Sequence, residues 1–225
     1  QFPWLSYRDI EIGMCPVRAL RVAYTGELGW ELHHPIEMQN YLLDILLSSG
    51  KEFNLKLVGA RAQNWLRQEK SYKAFGSDLG RDAGPFESKL SRFVDINKNF
   101  LGKDALLKRK TDVSCVTLLI DGPKDIDPWG REALYNETEE VMLGRLTSAG
   151  YSVHFKRSIG IGYVKSSFSE VGTKLRIKID DAFWDAEIVR DSPYDPQNER
   201  IIDRVQQIIE TCLLYTSPSP RDGQI

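Results

Sequence analysis

Hydrophobic and polar residues change rhythm along this chain, and each change predicts a different kind of element. Residues 18–24 (Arg-Ala-Leu-Arg-Val-Ala-Tyr) alternate with the period of two expected of a half-buried strand. Gly26 and Gly29 supply a tight reversal, and residues 30–33 read as the returning strand of a β-hairpin. Pro35 suits the first turn of a helix. Ile36, Met38, Tyr41, Leu42, Ile45 and Leu46 then recur at helical spacing until Gly50 closes the segment. A second helix is predicted over 58–72, with Val58, Ala62, Trp65, Leu66 and Glu69 along one side. Residues 76–85, rich in Gly and Asp, read as loop. Residues 93–98 form a strand or linker, and 99–107 a turn into a short helix. From there the character is β. The runs 113–120, 141–146, 159–164, 174–179 and 183–189 are short, rich in strand formers and separated by turns, the pattern of a small antiparallel barrel or sandwich. The boundary between two domains is placed between residues 93 and 110.

Composition narrows the class of protein without naming a chemistry. Hydrophobic residues make up 41% and charged residues 28% of 225, the proportions of a soluble globular protein. A formal net charge of -2 offers no broad basic field for nucleic acid or an anionic membrane. No apolar run approaches the roughly 20 residues that cross a bilayer. Cys15, Cys115 and Cys212 are scattered without metal-like spacing, which predicts a reducing compartment and no disulfide framework. Three histidines, two of them adjacent, do not build a zinc site without thiolate help. No metal is expected.

The most informative stretch is Tyr24-Thr-Gly-Glu-Leu-Gly-Trp-Glu31. By spacing it is a hairpin with a glycine-bearing loop, and Glu27 and Glu31 read equally as ordinary exposed acids. The functional reading is that a carboxylate beside a turn takes two hydrogen bonds from a ligand's amidine-like edge. A nearby aromatic ring would flank a flat ligand.

That stretch resembles the signature of the aminomethyltransferase (glycine-cleavage T-protein) family, above all the version fused to flavin-dependent dimethylglycine and sarcosine dehydrogenases. Further blocks of the same resemblance follow in order. They are Leu66-Arg-Gln-Glu-Lys70, Ala74-Phe-Gly-Ser-Asp-Leu79, Phe100-Leu-Gly-Lys-Asp-Ala-Leu106, Asp127-Pro-Trp-Gly130, Thr147-Ser-Ala-Gly-Tyr151 and Pro193-Tyr-Asp-Pro-Gln-Asn-Glu-Arg200. Each block is weak and their order is strong, across roughly residues 2–201.

The resemblance implies an α+β fold: the C-terminal half of a T-protein-type folate-binding domain (1–92), a linker with a short helix (93–110), and a small antiparallel β-barrel domain (111–204). It implies tetrahydrofolate as cofactor. Glu31 matches the acidic residue that binds the pterin edge, and Tyr24 matches a tyrosine of the same site. Gln63 stands where many T-proteins carry an arginine, so it hydrogen-bonds but forms no ion pair. The family's catalytic aspartate falls upstream of Gln1, so no catalytic residue is assigned within the chain. The dehydrogenase branch implies FAD in a domain of the same polypeptide that precedes this one. The implied reaction oxidises an N-methyl amine and passes the one-carbon unit to tetrahydrofolate. The alternatives are a free-standing glycine-cleavage aminomethyltransferase and a non-catalytic regulatory subunit of the pyruvate dehydrogenase phosphatase type. The partners implied are folate and the flavin domain, with neither nucleic acid nor membrane. The compartment would be cytoplasm in a bacterium and mitochondrial matrix in a eukaryote.

Both ends look unnatural, so the chain is expected to be an internal piece of a longer enzyme and inactive alone. It lacks an initiating Met and any signal peptide. After a helical stretch over 201–210, residues 212–222 (Cys-Leu-Leu-Tyr-Thr-Ser-Pro-Ser-Pro-Arg-Asp) resemble a translated sequencing adapter, with a Ser/Pro-rich tail as the other reading. Residues 205–225 are therefore set aside. The remaining features carry structural expectations. Lys108-Arg109-Lys110 is a solvated helix end, and of His33 and His34 one faces inward and one outward on a strand. Trp65 belongs to the core. Arg67 and Glu69 each find a structural partner elsewhere, because residues two apart on a helix do not face each other. Asp78 caps or turns its loop.

Overall fold

A computed structural model describes residues 2–122 and 126–201. The helix expected over 201–210, apart from Ile201, and the adapter-like stretch with Cys212 lie outside the described residues. Packing divides the chain into two compact units, residues up to 60 together with 197–201, and residues 61–196.

In the first unit three strands form a sheet of order β1-β2-β3, with β1 Tyr7–Ile12, β2 Cys15–Leu20 and β3 Glu31–His33. The first two are joined by Gly13-Met14, with Ile12 paired to Cys15 and Gly13 at φ +59, as a two-residue reversal requires. Alternation decides the faces of β2. Cys15, Val17 and Ala19 are buried while Pro16 and Arg18 are exposed. The buried set packs with Leu42 of helix α1 (Gln39–Gly50), and Met38, Tyr41 and Leu46 join it at helical spacing. A 3-10 turn over Ile36–Met38 leads into that helix, as Pro35 foretold.

Here the structure corrects the sequence reading. The strand expected over 18–24 lies at Cys15–Leu20 instead. Beyond it the Arg21 backbone exchanges hydrogen bonds with Leu5 and Ser6, 3.1 and 2.8 Å, and the chain leaves the ladder. The expected tight reversal is a loop over 21–30. Antiparallel pairing of β2 with β3 survives it, with Leu20 opposite Glu31 and Arg18 opposite His33.

The second unit is a closed six-stranded barrel of order β4-β7-β6-β5-β8-β9. Its strands are β4 Val113–Ile120, β5 Ala133–Tyr135, β6 Met142–Ser152, β7 Arg157–Lys165, β8 Lys174–Ile179 and β9 Ala182–Val189. Closure is made by β4 pairing with β9, from Thr117 opposite Val189 to Ile120 opposite Ala186. Val116, Leu118, Ile120, Leu134, Leu146, Ile177 and Ile188 fill the interior. The short β5 escaped the sequence reading because three residues carry no readable period.

Strand β4 is buried on both faces from Cys115 to Ile120, which explains its unbroken apolar run. The outer face is covered by the segment after helix α2 (Ala60–Glu69). Ser71 shares a 2.7 Å hydrogen bond with Thr117, and Cys115 N donates to Glu87 O at 2.7 Å. Burial pushes the Cys115 thiol up to about 11, a value for an inert packing residue. A short helix α3 (Lys103–Lys108) follows the linker. At its end Lys108 and Lys110 are exposed as expected, whereas Arg109 pairs with Glu87 at 3.0 Å.

Burial raises the Glu87 carboxyl. Hydrogen bonds from Thr111 (2.7 Å) and its own backbone, with the Arg109 guanidinium, outweigh that and hold it below its ordinary value. A depressed carboxyl contributes stability above its unfolded pKa and loses it as pH falls through the folded one. Glu87→Gln is therefore expected to cost about 1–2 kcal/mol at pH 7. The difference from wild type should shrink as pH drops below about 4. Urea titrations of both proteins at several pH values check this.

Candidate functional site

In the first unit, the loop over 21–30 is held by Arg21, whose side chain is fully buried. Its Nη2 donates to the Ile201 carbonyl at 2.7 Å and its Nη1 to the Gly29 carbonyl at 3.4 Å. The guanidinium lies over the Trp30 ring, 4.9 Å from its centroid. The first residue of the loop thus clasps its last two. Burial lowers the Arg21 pKa, though a guanidinium stays charged. Trp30 also meets Phe2 at 6.3 Å, and Glu27 pairs with Arg200 at 3.5 Å.

Tyr24 sits half-buried inside this loop. Glu31 is the residue that follows it, at the start of β3. The Glu31 carboxylate is about half exposed, with its Oε2 3.4 Å from Nε2 of His33 on the same face. His33 is the exposed residue of the expected histidine pair. His34 lies half-buried just past the strand, with Nδ1 2.9 Å from the Pro35 carbonyl oxygen. Chemically the face presents an accessible carboxylate, partly oriented, beside a tyrosine-bearing loop.

Gln63 belongs to the other unit, exposed in the early part of α2. Two of the three expected site residues therefore share one unit and the third does not.

The second unit holds a polar cluster that sequence reasoning under-read. Helix α2 buries Arg67, Gln68 and Glu69; of the side expected over it only Glu69 is buried, while Ala62, Trp65 and Leu66 are half-buried and Val58 lies exposed before the helix. Arg67 donates to Asp78 Oδ2, the Tyr72 carbonyl and Ser148 Oγ, each at 2.7 Å. Asp78 also accepts from Thr147 and Ser148 at 2.6 Å and from Ala74 N at 2.9 Å. A register shift in β6 between Leu146 and Ser148 brings two successive hydroxyls to bear on one carboxylate. Asp78 does turn its loop, and it also anchors that loop to the barrel. Arg67 and Glu69 find separate partners as expected, Glu69 bonding Ser152 Oγ. The missed signal was an Arg and an Asp eleven apart, with a Thr-Ser pair inside a strand. Trp65 packs over Gly150, where an added Cβ would lie 2.1 Å from the indole.

Among the described residues no group of three or more His, Cys, Asp or Glu could hold a metal ion. Among them, too, no helix is long and apolar enough to cross a membrane.

Comparison with known proteins agrees with this architecture. Residues 1–98 match the GCVT N-terminal domain, and residues 114–195 match the glycine cleavage T-protein C-terminal barrel domain. The mitochondrial dimethylglycine dehydrogenase of Mus musculus is 36% identical over 197 residues, which cover 84% of this chain and 22% of that protein. An aminomethyltransferase of Caldanaerobacter subterraneus is 31% identical over 181 residues, covering 80% of this chain and 48% of the relative. The chain thus spans about a fifth of the one and about half of the other. The glycine cleavage system aminomethyltransferase T of Bartonella henselae shares the fold, with a TM-score of 0.71 at 23% identity over 80% of this chain and 50% of that structure. With an α+β first region, a closed antiparallel barrel behind it and two domain models matched in order, the chain belongs to the glycine cleavage T-protein (aminomethyltransferase) family.

Proposed function

We propose that this chain is the tetrahydrofolate-binding module of a one-carbon transfer enzyme. The observation that carries the reading is the accessible Glu31 carboxylate next to the loop that bears Tyr24. A pterin presents adjacent N–H donors along one edge, and a carboxylate accepts two of them at once. Glu31 would take that edge and Tyr24 would flank the ring. Bound tetrahydrofolate supplies the nucleophilic nitrogens that accept the one-carbon unit. The chain's own part is to hold and orient the pterin. The division 1–92, 93–110, 111–204 and 205–225 remains our proposed domain map.

The free-standing aminomethyltransferase reading needs least beyond the family itself, since both matched domain models and the shared fold are of that type. The dehydrogenase reading is finer. It is supported by the higher identity to dimethylglycine dehydrogenase and adds oxidative demethylation of an N-methyl amine such as dimethylglycine or sarcosine. It also adds FAD. No Gly-x-Gly-x-x-Gly fingerprint occurs in these 225 residues. The flavin would belong to another domain of the same polypeptide. The compartment proposed is mitochondrial matrix for a eukaryotic source and cytoplasm for a bacterial one.

Calorimetric titration of the chain with tetrahydrofolate, beside Glu31→Ala, tests the site. Losing a bidentate charged contact should weaken binding by roughly tenfold to a hundredfold. Equal affinity in both proteins, or no binding by the wild type, would sink the reading.

A further inference from the structure

Residues two apart on a strand share a face, so β3 presents Glu31 and His33 together. Nε2 of His33 stands 3.4 Å from Oε2 of Glu31, and both side chains are more than half exposed. A ring nitrogen that faces a carboxylate oxygen must carry the proton, because a lone pair there would repel the anion. The ring therefore donates one long hydrogen bond to Oε2. It fixes the carboxylate's orientation and leaves the remaining lone pairs for a ligand.

The charged groups facing this pair are few. From β2, Arg18 lies directly opposite His33, and its guanidinium is tied to Asp9 of β1 by two hydrogen bonds of 2.8 and 3.0 Å. Arg18 also lies over the Tyr7 ring at 5.0 Å. Glu11 has the same strand parity as Asp9, and His34 is turned to the Pro35 carbonyl. Arg18 is thus balanced by Asp9, and the charge that His33 meets along its own strand is Glu31.

We propose that His33 is a positioning residue for Glu31: its ring N–H holds the carboxylate in the orientation in which it can take a pterin edge. The inference rests on the folate reading above.

The test titrates the whole chain with tetrahydrofolate under anaerobic conditions at about pH 7.5, for wild type, His33→Gln, His33→Ala and Glu31→Ala. His33→Gln keeps an N–H donor and should match wild type. His33→Ala should bind about two- to fivefold more weakly, the range for an exposed pair. An unchanged affinity in His33→Ala, or a loss in His33→Gln equal to that in His33→Ala, overturns the proposal. If Glu31→Ala binds as wild type does, or wild type does not bind, the folate reading falls first. Loss in Glu31→Ala with wild-type behaviour in both His33 variants rejects only the role of His33.

Discussion

Replacing Asp78 with alanine is expected to destabilise the barrel unit by about 3–5 kcal/mol, the cost of stranding a buried charge. The side chains of Arg67 and Asp78 are 3% and 0% exposed, so water cannot take over when one partner goes. The loss reaches past the ion pair, because the Thr147 and Ser148 hydroxyls and the Ala74 amide all donate to this carboxylate. Each would be left with a weaker partner or none, in a setting where an unmet buried donor costs about 1–3 kcal/mol. Asp78→Asn keeps the shape but not the charge, and should fall between wild type and alanine. Joint replacement of Arg67 by Met and Asp78 by Leu should cost clearly less than Asp78→Ala alone, since no buried charge is then left over. Urea unfolding followed by tryptophan fluorescence gives all four midpoints. A double variant destabilised as much as Asp78→Ala would show that the pair is not the coupled unit described.

Gly144→Ala is expected to open the β6–β7 seam at a cost of about 3 kcal/mol or more, beyond ordinary overpacking. A Cβ at this position would lie 1.9 Å from the Tyr163 carbonyl oxygen and 2.8 Å from the Val164 Cα. Both are backbone atoms of the neighbouring strand, so no rotamer change relieves the contact. Gly144 is paired with Val164 in the ladder, and the strands must part for the methyl group to fit. The contrast is Gly150→Ala, where the clash is with the Trp65 side chain, which can swing aside. That variant should lose less stability, and its tryptophan emission should shift. Equal midpoints for Gly144→Ala and wild type would contradict the strand approach seen here.

The sequence was legible where one pattern, an apolar run or a steady alternation, ran long enough to be read. β4 and β8 fall where the β-rich runs place them, and α1 ends at the glycine that marks it. The three-residue β5 and the bulge in β6 were not legible, because neither leaves a period. The site divides in the same way. Glu31 and Tyr24 were singled out by motif as the proposed site, while the role of Arg21 was not legible, since nothing local distinguishes it from Arg18, three residues before it. One is fully buried and clasps a loop, and the other lies exposed against Asp9.

By itself, then, the sequence determined the class of each half and the order of most elements, and it singled out the residues proposed for a folate site. Those are properties of local alternation and of short contiguous blocks. Tertiary structure alone decided that the polar end of α2 is buried, that Asp78 ties a loop to the barrel, and that β3 sets His33 beside Glu31. The physical reason is common to all three. Whether a polar side chain faces water, a partner or a ligand depends on groups brought near by chain closure, often tens of residues away. Hydropathy reads a side chain's cost of burial, and only the fold shows who compensates it.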